Sequence, residues 1–171
     1  MSDEDIRLTA ELLRKLEPGF LPYPIFEQVA RLVPLPIVEF IPLRMTEDRA
    51  VEVLLIARDD DDPFWPGMLH TPGTVVRATD LNKGERDDWL AFKRILSEEL
   101  ADTKVGPPQY VGSMFHDSKR GTEQAQLYWI EVLDEPIAGS FYPVDDLPPE
   151  LIDSQTAFIG QAVRTFLAAK A

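Results

Sequence analysis

The sequence predicts an α/β fold in which helices cover both faces of a mixed β-sheet, preceded by a helical N-terminal extension. Three observations predict it. Four runs rich in β-branched and aromatic residues stand apart from one another, at Ile37 to Leu43, Val51 to Ala57, Tyr110 to Phe115 and Ala125 to Leu133. Stretches with apolar residues at helical spacing lie before, between and after them. The strict strand–helix alternation that specifies an all-parallel sheet is absent.

Taken in order, Ser2 to Asp5 reads as a capping box, and Ile6, Ala10, Leu13 and Leu16 follow at helical spacing. Pro18-Gly19 stops that helix. A second short helix is expected from Ile25 to Val33, after which Pro34 and Pro36 force an extended chain. The first two strands are joined by the polar turn Thr46-Glu47-Asp48-Arg49, and Asp59 to Thr71 reads as a loop containing Pro63 and Pro66. Trp89 to Ala101 is expected to be a helix, with Trp89, Phe92, Leu96 and Leu100 along one buried stripe. Leu151 to Ala169 closes the chain as an amphipathic helix through Phe158, Ala162, Val163 and Phe166.

Composition narrows the function. The chain has 171 residues, enough for one domain with a single core, and 44% of them are hydrophobic. No apolar run approaches the roughly 20 residues that span a bilayer. The acidic start Met1-Ser2-Asp3-Glu4-Asp5 lacks the order of a signal peptide, so a cytoplasmic protein is expected. Cysteine is absent, which removes disulfides and thiolate metal sites. A formal net charge of −13 opposes binding to a nucleic-acid polymer. A small phosphorylated substrate remains compatible, because a bound divalent cation reverses the local field.

The chemistry concentrates between Trp65 and Asp102. On the predicted helix, Glu98 and Glu99 stand side by side, with Arg94 one turn before and Asp102 one turn after Glu98. Carboxylates so crowded repel one another unless a cation sits among them, and hard oxygen ligands suit Mg²⁺ or Mn²⁺. A solvated acidic face is the alternative for the pair, and an i,i+4 salt bridge to Glu98 the alternative for Arg94.

The stretch Trp65-Pro66-Gly67-Met68-Leu69-His70-Thr71-Pro72-Gly73-Thr74, followed by Asp80 and Arg94-Ile95-Leu96-Ser97-Glu98-Glu99, resembles the Nudix hydrolase signature. Thr74 falls at its opening glycine and Asp80 at its first glutamate. Arg94, Leu96, Glu98 and Glu99 fall on the arginine, aliphatic and paired-glutamate positions. The likeness covers about Ile37 to Ala171, giving a Nudix-type α/β/α sandwich at 37–171 and a helical extension at 1–36. Within it, residues Phe20 to Val33 are expected to wrap the domain or form a homodimer interface. Three departures stand out: thirteen residues rather than seven separate Asp80 from Arg94, Ile95 replaces a motif glutamate, and Ala101 replaces a glycine.

The resemblance implies a hydrolase of a nucleoside diphosphate linked to another moiety. Mg²⁺ or Mn²⁺ would be held by the Gly73 carbonyl, Glu98 and Glu99, with Arg94 fixing a neighbouring carboxylate. The loss at Ile95 implies fewer metal ions, or a domain that binds a nucleotide or a partner without catalysis. Glu135 matches a metal-binding position of GDP-mannose mannosyl hydrolases, a divergent branch that cleaves at carbon, although Pro136 stands where that branch has its catalytic histidine. Glu123 and His116 are further candidates in the neighbouring loop. Trp65 is expected to stack on a base, close the pocket or pack beneath the loop, and His70 to lie beside the substrate or make a local hydrogen bond. The run Asp59-Asp60-Asp61-Asp62 lacks the ligand spacing of a calcium loop and reads as a solvated turn.

Overall fold

A computed structural model of the protein describes residues 1–80 and 90–171. Trp89 and the insertion expected within Leu81 to Asp88 lie outside the described residues.

Helix α1, Asp3–Leu13, opens with the expected capping box: the Asp5 amide donates to Ser2 Oγ at 3.2 Å, and the Ser2 amide donates to Asp5 Oδ2 at 2.8 Å. None of its residues is buried. Helix α2, Tyr23–Leu32, begins two residues earlier than expected, because Pro24 sits in the first turn, where a missing N–H costs nothing. It ends where Val33 turns extended ahead of Pro34.

The sheet is mixed and turns on the long strand β1, Leu35–Met45. Its C-terminal part pairs antiparallel with β2, Val51–Ala57, and its N-terminal part pairs antiparallel with the short β4, Gly73–Val75. On its other edge β1 runs parallel to β6, Gly121–Glu131, which is paired in turn with β5, Gln109–Ser118. β3, Leu69–His70, and β7, Ser140–Pro143, both pair with β2. The two strands expected late in the chain are therefore present and form the β5–β6 hairpin.

Both faces of this sheet are covered. The closing helix α4, Asp153–Lys170, packs Phe158, Ile159, Ala162 and Phe166 over Ile37, Ile41, Leu43 and Leu127. On the opposite face Ile95 and Leu100 lie with Val38, Phe40, Leu54 and Ile130. A central strand buried on both faces reads as a nearly continuous apolar run, and β1 does. Among the described residues no helix is long and apolar enough to cross a membrane.

The predicted helix through Ala101 is revised. It is α-helical only over α3, Leu90–Arg94, and continues as a π turn over Ile95–Glu99, closed by the Leu100 amide donating to the Ile95 carbonyl at 3.1 Å. Ala101 and Asp102 then adopt left-handed φ values of 48° and 60°, and the Asp102 amide caps the Leu96 carbonyl at 2.9 Å. The wider turn separates residues that an α-helix would hold on one face: Ile95 points into the core, Glu98 is exposed and Glu99 is directed toward β4.

Candidate active site

The site begins with a glycine on a strand. Gly73 stands opposite Glu39 in the β1–β4 register, and the Glu39 carboxylate packs against its bare Cα. A Cβ at Gly73 would lie 2.2 Å from Glu39 Oε2 and 2.6 Å from Oε1. From the π turn, Glu99 Oε2 accepts the Gly73 N–H at 3.0 Å. One residue thus brings two carboxylates together from distant parts of the chain.

Glu39 is buried and Glu99 half-buried, and both hold protons more tightly than usual. Burial, reinforced by the neighbouring Glu99, pushes Glu39 up to about 8. Burial likewise pushes Glu99 up to about 7, against the Gly73 N–H, which favours its charged form. Thr71 Oγ1 lies 3.2 Å from Glu39 Oε2 and also contacts Gln155 Oε1, which already accepts the Thr71 N–H at 3.2 Å. The single hydroxyl hydrogen of Thr71 cannot serve both acceptors. A proton on Glu39 completes the set, with Glu39 donating to Thr71 and Thr71 donating to Gln155.

This yields a stability prediction whose sign follows from linkage. A carboxylate with a raised folded-state pKa contributes stability below its ordinary value of 4.5, and loses it as pH rises through about 8. Each pH unit in that window costs up to about 1.4 kcal/mol. Metal-free protein is therefore expected to melt at progressively lower temperature from pH 5 to pH 8. Glu39→Gln should make the decline shallower and leave the part due to Glu99, which ends near pH 7, as thermal unfolding across that range will show.

Arg94 pairs with Asp80 rather than with Glu98, which corrects the i,i+4 alternative. Its guanidinium donates to Asp80 Oδ2 at 2.6 Å and Oδ1 at 3.2 Å, to Thr74 Oγ1 at 2.8 Å and to the Val75 carbonyl at 3.1 Å. Burial alone would raise Asp80; the Arg94 fork and the Arg77 amide outweigh it and hold the carboxyl below the ordinary range. This latch ties the helix to the segment after β4, and so sets where Glu99 meets Gly73.

A cavity of about 650 Å³ opens from Gly73, Thr74 and Glu99 to Trp65, Arg58 and Arg120. Trp65 lines it, with the Arg58 and Arg120 guanidiniums 5.5 Å and 5.1 Å from its ring. Glu123 is buried behind Arg120, accepting from its Nε at 2.7 Å and lying 3.1 Å from His116 Nε2. Burial would raise Glu123, yet the bonds from His116, Arg120 and Ser118 together hold it low. His70 is buried with Nδ1 2.7 Å from the Thr71 carbonyl, and desolvation holds it neutral, with a pKa down to about 3. His70 therefore has the local hydrogen bond expected of it. Glu135 is exposed, 3.7 Å from Arg44. Arg44 is five residues beyond Glu39 on β1, about 16 Å along the strand, so the structure does not bring Glu135 to the Glu39–Glu99 pair. Asp102 is exposed beyond the end of the π turn.

The sheet order, the helix on each face and the motif segment bridging β4 to the paired carboxylates can be set beside solved structures. The NUDIX domain of Shewanella oneidensis NrtR, complexed with ADP ribose, superposes with a TM-score of 0.57 at 18% identity, over 98% of this chain and 99% of that one. The fold is Nudix. A Caenorhabditis elegans Ap4A hydrolase matches with a TM-score of 0.53 and 16% identity over 81% of this chain and 100% of its own. A MutT NUDIX hydrolase from Burkholderia pseudomallei gives 0.54 and 20% over 75% and 98%. No family model and no curated protein matches the sequence. At these identities the likeness establishes the Nudix fold, and activity has to be argued from the residues present.

Of the residues grouped by the motif, Gly73 and Glu99 meet directly, Arg94 is tied to them through Thr74 and Asp80, and Glu98 is exposed. Sequence reasoning missed Glu39, hidden in the apolar run of β1, and it missed Arg58 and Arg120. Alternation along β1 was the one available signal: Glu39 falls on the same face as Ile37 and Ile41.

The fit of a divalent cation can be judged from the donors. Among the described residues no group of three or more acidic or histidine side chains is gathered as a ligand set. Two carboxylates on one glycine, Glu39 buried and Glu99 half-buried, nevertheless call for either protons or a cation, and Mg²⁺ commonly takes only one or two protein carboxylates beside water and phosphate. The residues fit a Mg²⁺ or Mn²⁺ site of low protein ligand count. Gly73→Ala tests the crowding. The added methyl has to displace the Glu39 carboxylate, at about 1–3 kcal/mol of stability. Adding Glu39→Ala should recover most of that loss in urea unfolding.

Proposed function

We propose that the protein is a Mg²⁺-dependent hydrolase that cleaves the phosphoanhydride of a nucleoside diphosphate linked to another moiety. One observation carries this reading: Glu99, half-buried on the wall of a nucleotide-sized cavity, is held on Gly73 beside the buried carboxylate of Glu39. Glu99, the Gly73 carbonyl and, from the rim, Glu98 would hold the ion, with Glu39 adding its field from behind Gly73. The bound ion supplies Lewis-acid polarisation and orientation of the phosphate oxygens. The chain's own contribution is positional. Arg94 pins Asp80 and Thr74, so the carboxylate-bearing turn stays against β4. Water bonds to phosphorus, the bridging P–O bond breaks, and its electron pair leaves with the departing phosphate; the protons of the water pass to product and solvent. ADP ribose, bound by the NrtR domain, belongs to this substrate class.

The test is turnover. With Mg²⁺ or Mn²⁺, a panel of nucleotide sugars, dinucleotides and nucleotides should contain at least one substrate, and ¹⁸O from water should appear in phosphate. Label in the sugar would move the reaction to carbon. A second reading, ligand binding without catalysis, is favoured by the exposure of Glu98 and the burial of Ile95. It predicts ligand-dependent thermal shifts with no turnover of the same panel.

A further inference from the structure

The cavity has a second end that the hydrolytic chemistry does not use. It runs from Glu99 past Arg58 and Arg120 to a wall of aromatic rings supplied by two separate segments. Phe20, Tyr23 and Phe26 come from the N-terminal segment and the start of α2, and Phe64 and Trp65 come from the loop after β2. The rings of Tyr23 and Phe64 lie 6.0 Å apart and those of Phe64 and Trp65 5.5 Å, which joins the two segments; Phe20 lines the same cavity with the Arg77 guanidinium 5.5 Å from its ring. Phe20 remains 76% exposed and Tyr23 44%, so their faces are not consumed by the core.

Three arginines, Arg58, Arg77 and Arg120, line the cavity of a chain whose formal charge is −13, and carboxylates hold two of them in place. Arg120 is fixed by Glu123, 2.6 Å from its terminal nitrogen, and Glu123 is anchored in turn by His116 and Ser118. Arg58 is fixed by Asp62 at 3.1 Å. A guanidinium carries five N–H donors, so one carboxylate partner leaves others to meet phosphate oxygens.

We infer that the N-terminal segment, with Phe64 and Trp65, forms a pocket for the nucleobase of a nucleoside diphosphate, and that Arg58 and Arg120 receive its phosphates. This rests on the proposed hydrolase reading for the orientation of the ligand, with its phosphates toward Glu99. Flat π surfaces match the wall because base–aromatic stacking tolerates any base. An aliphatic tail would leave the two arginines unused. The cavity volume lies within the range of small-molecule sites. Helix α2 and the segment before it, which add no strand to the sheet, thereby gain a role in recognition.

Equilibrium binding in EDTA tests this without turnover, using ADP and inorganic pyrophosphate as probes and calorimetry as the readout. Wild-type protein should bind ADP at least tenfold more tightly than pyrophosphate. The double variant F20A/Y23A should weaken ADP about tenfold and leave pyrophosphate within twofold. Arg120→Gln should weaken both ligands. Should the double variant fail to fold, Tyr23→Leu, which keeps bulk and removes the ring, should cost ADP at least threefold. Equal affinities for ADP and pyrophosphate, no binding of either, or ADP affinity unmoved in F20A/Y23A and Tyr23→Leu would overturn the inference. Wall-dependent ADP binding with no hydrolysis of any anhydride would overturn the proposed activity and leave the pocket standing.

Discussion

Glu99→Gln is expected to lower metal-dependent hydrolysis at least 100-fold, a loss of about 2.7 kcal/mol of transition-state stabilisation, while the protein stays folded. The amide keeps an oxygen where Glu99 Oε2 accepts the Gly73 N–H, so the local backbone bond persists. What disappears is the negative charge that favours a bound cation over water. Burial already penalises that charge, so metal-free stability at pH 8 should hold or rise. Mn²⁺ titration of the variant by calorimetry, beside steady-state rates and melting curves, separates the outcomes. Undiminished turnover would remove Glu99 from the chemistry, and a collapsed melting transition would make its role structural.

Ile95→Glu is expected to unfold or strongly destabilise the protein instead of restoring a motif glutamate. Ile95 is fully buried, packed with Val38, Phe40, Leu54, Leu100 and Ile130. A carboxylate there would lose its hydration with no cation among those neighbours. The cost is about 4 kcal/mol or more, comparable to the whole stability of a small domain. Ile95→Leu, which preserves volume, should cost less than about 1.5 kcal/mol. Urea unfolding of the two variants makes the comparison. A folded Ile95→Glu protein with increased Mn²⁺ affinity would show that position 95 faces the metal after all.

These two expectations mark where motif spacing stops being a guide. Spacing places Ile95, Glu98 and Glu99 on one face only while the helix keeps its α geometry. The π turn over Ile95–Glu99 breaks that condition, and no local propensity announces a wider turn. It arises where Leu100 and Ile95 pack onto the sheet and the left-handed Ala101 and Asp102 end the helix. Arg94 behaves similarly. Its neighbour in sequence is Glu98, but the partner that wins is Asp80, nearly buried and able to accept two bonds from the fork.

What the amino-acid order alone determined is the set of elements with strong local signals. These are the capping box of α1, the four principal strands, the closing helix, and the Gly73, Arg94 and Glu99 positions, because turn chemistry, side-chain periodicity and motif spacing act over short separations along the chain. Only the tertiary structure decided that Glu39 joins Glu99, that Arg58 and Arg120 border the same cavity, and that residues from α2 and the segment before it build its far wall. Those meetings depend on strand register and on which faces pack. They are set by the simultaneous burial of segments up to a hundred residues apart, and no window of sequence contains that constraint.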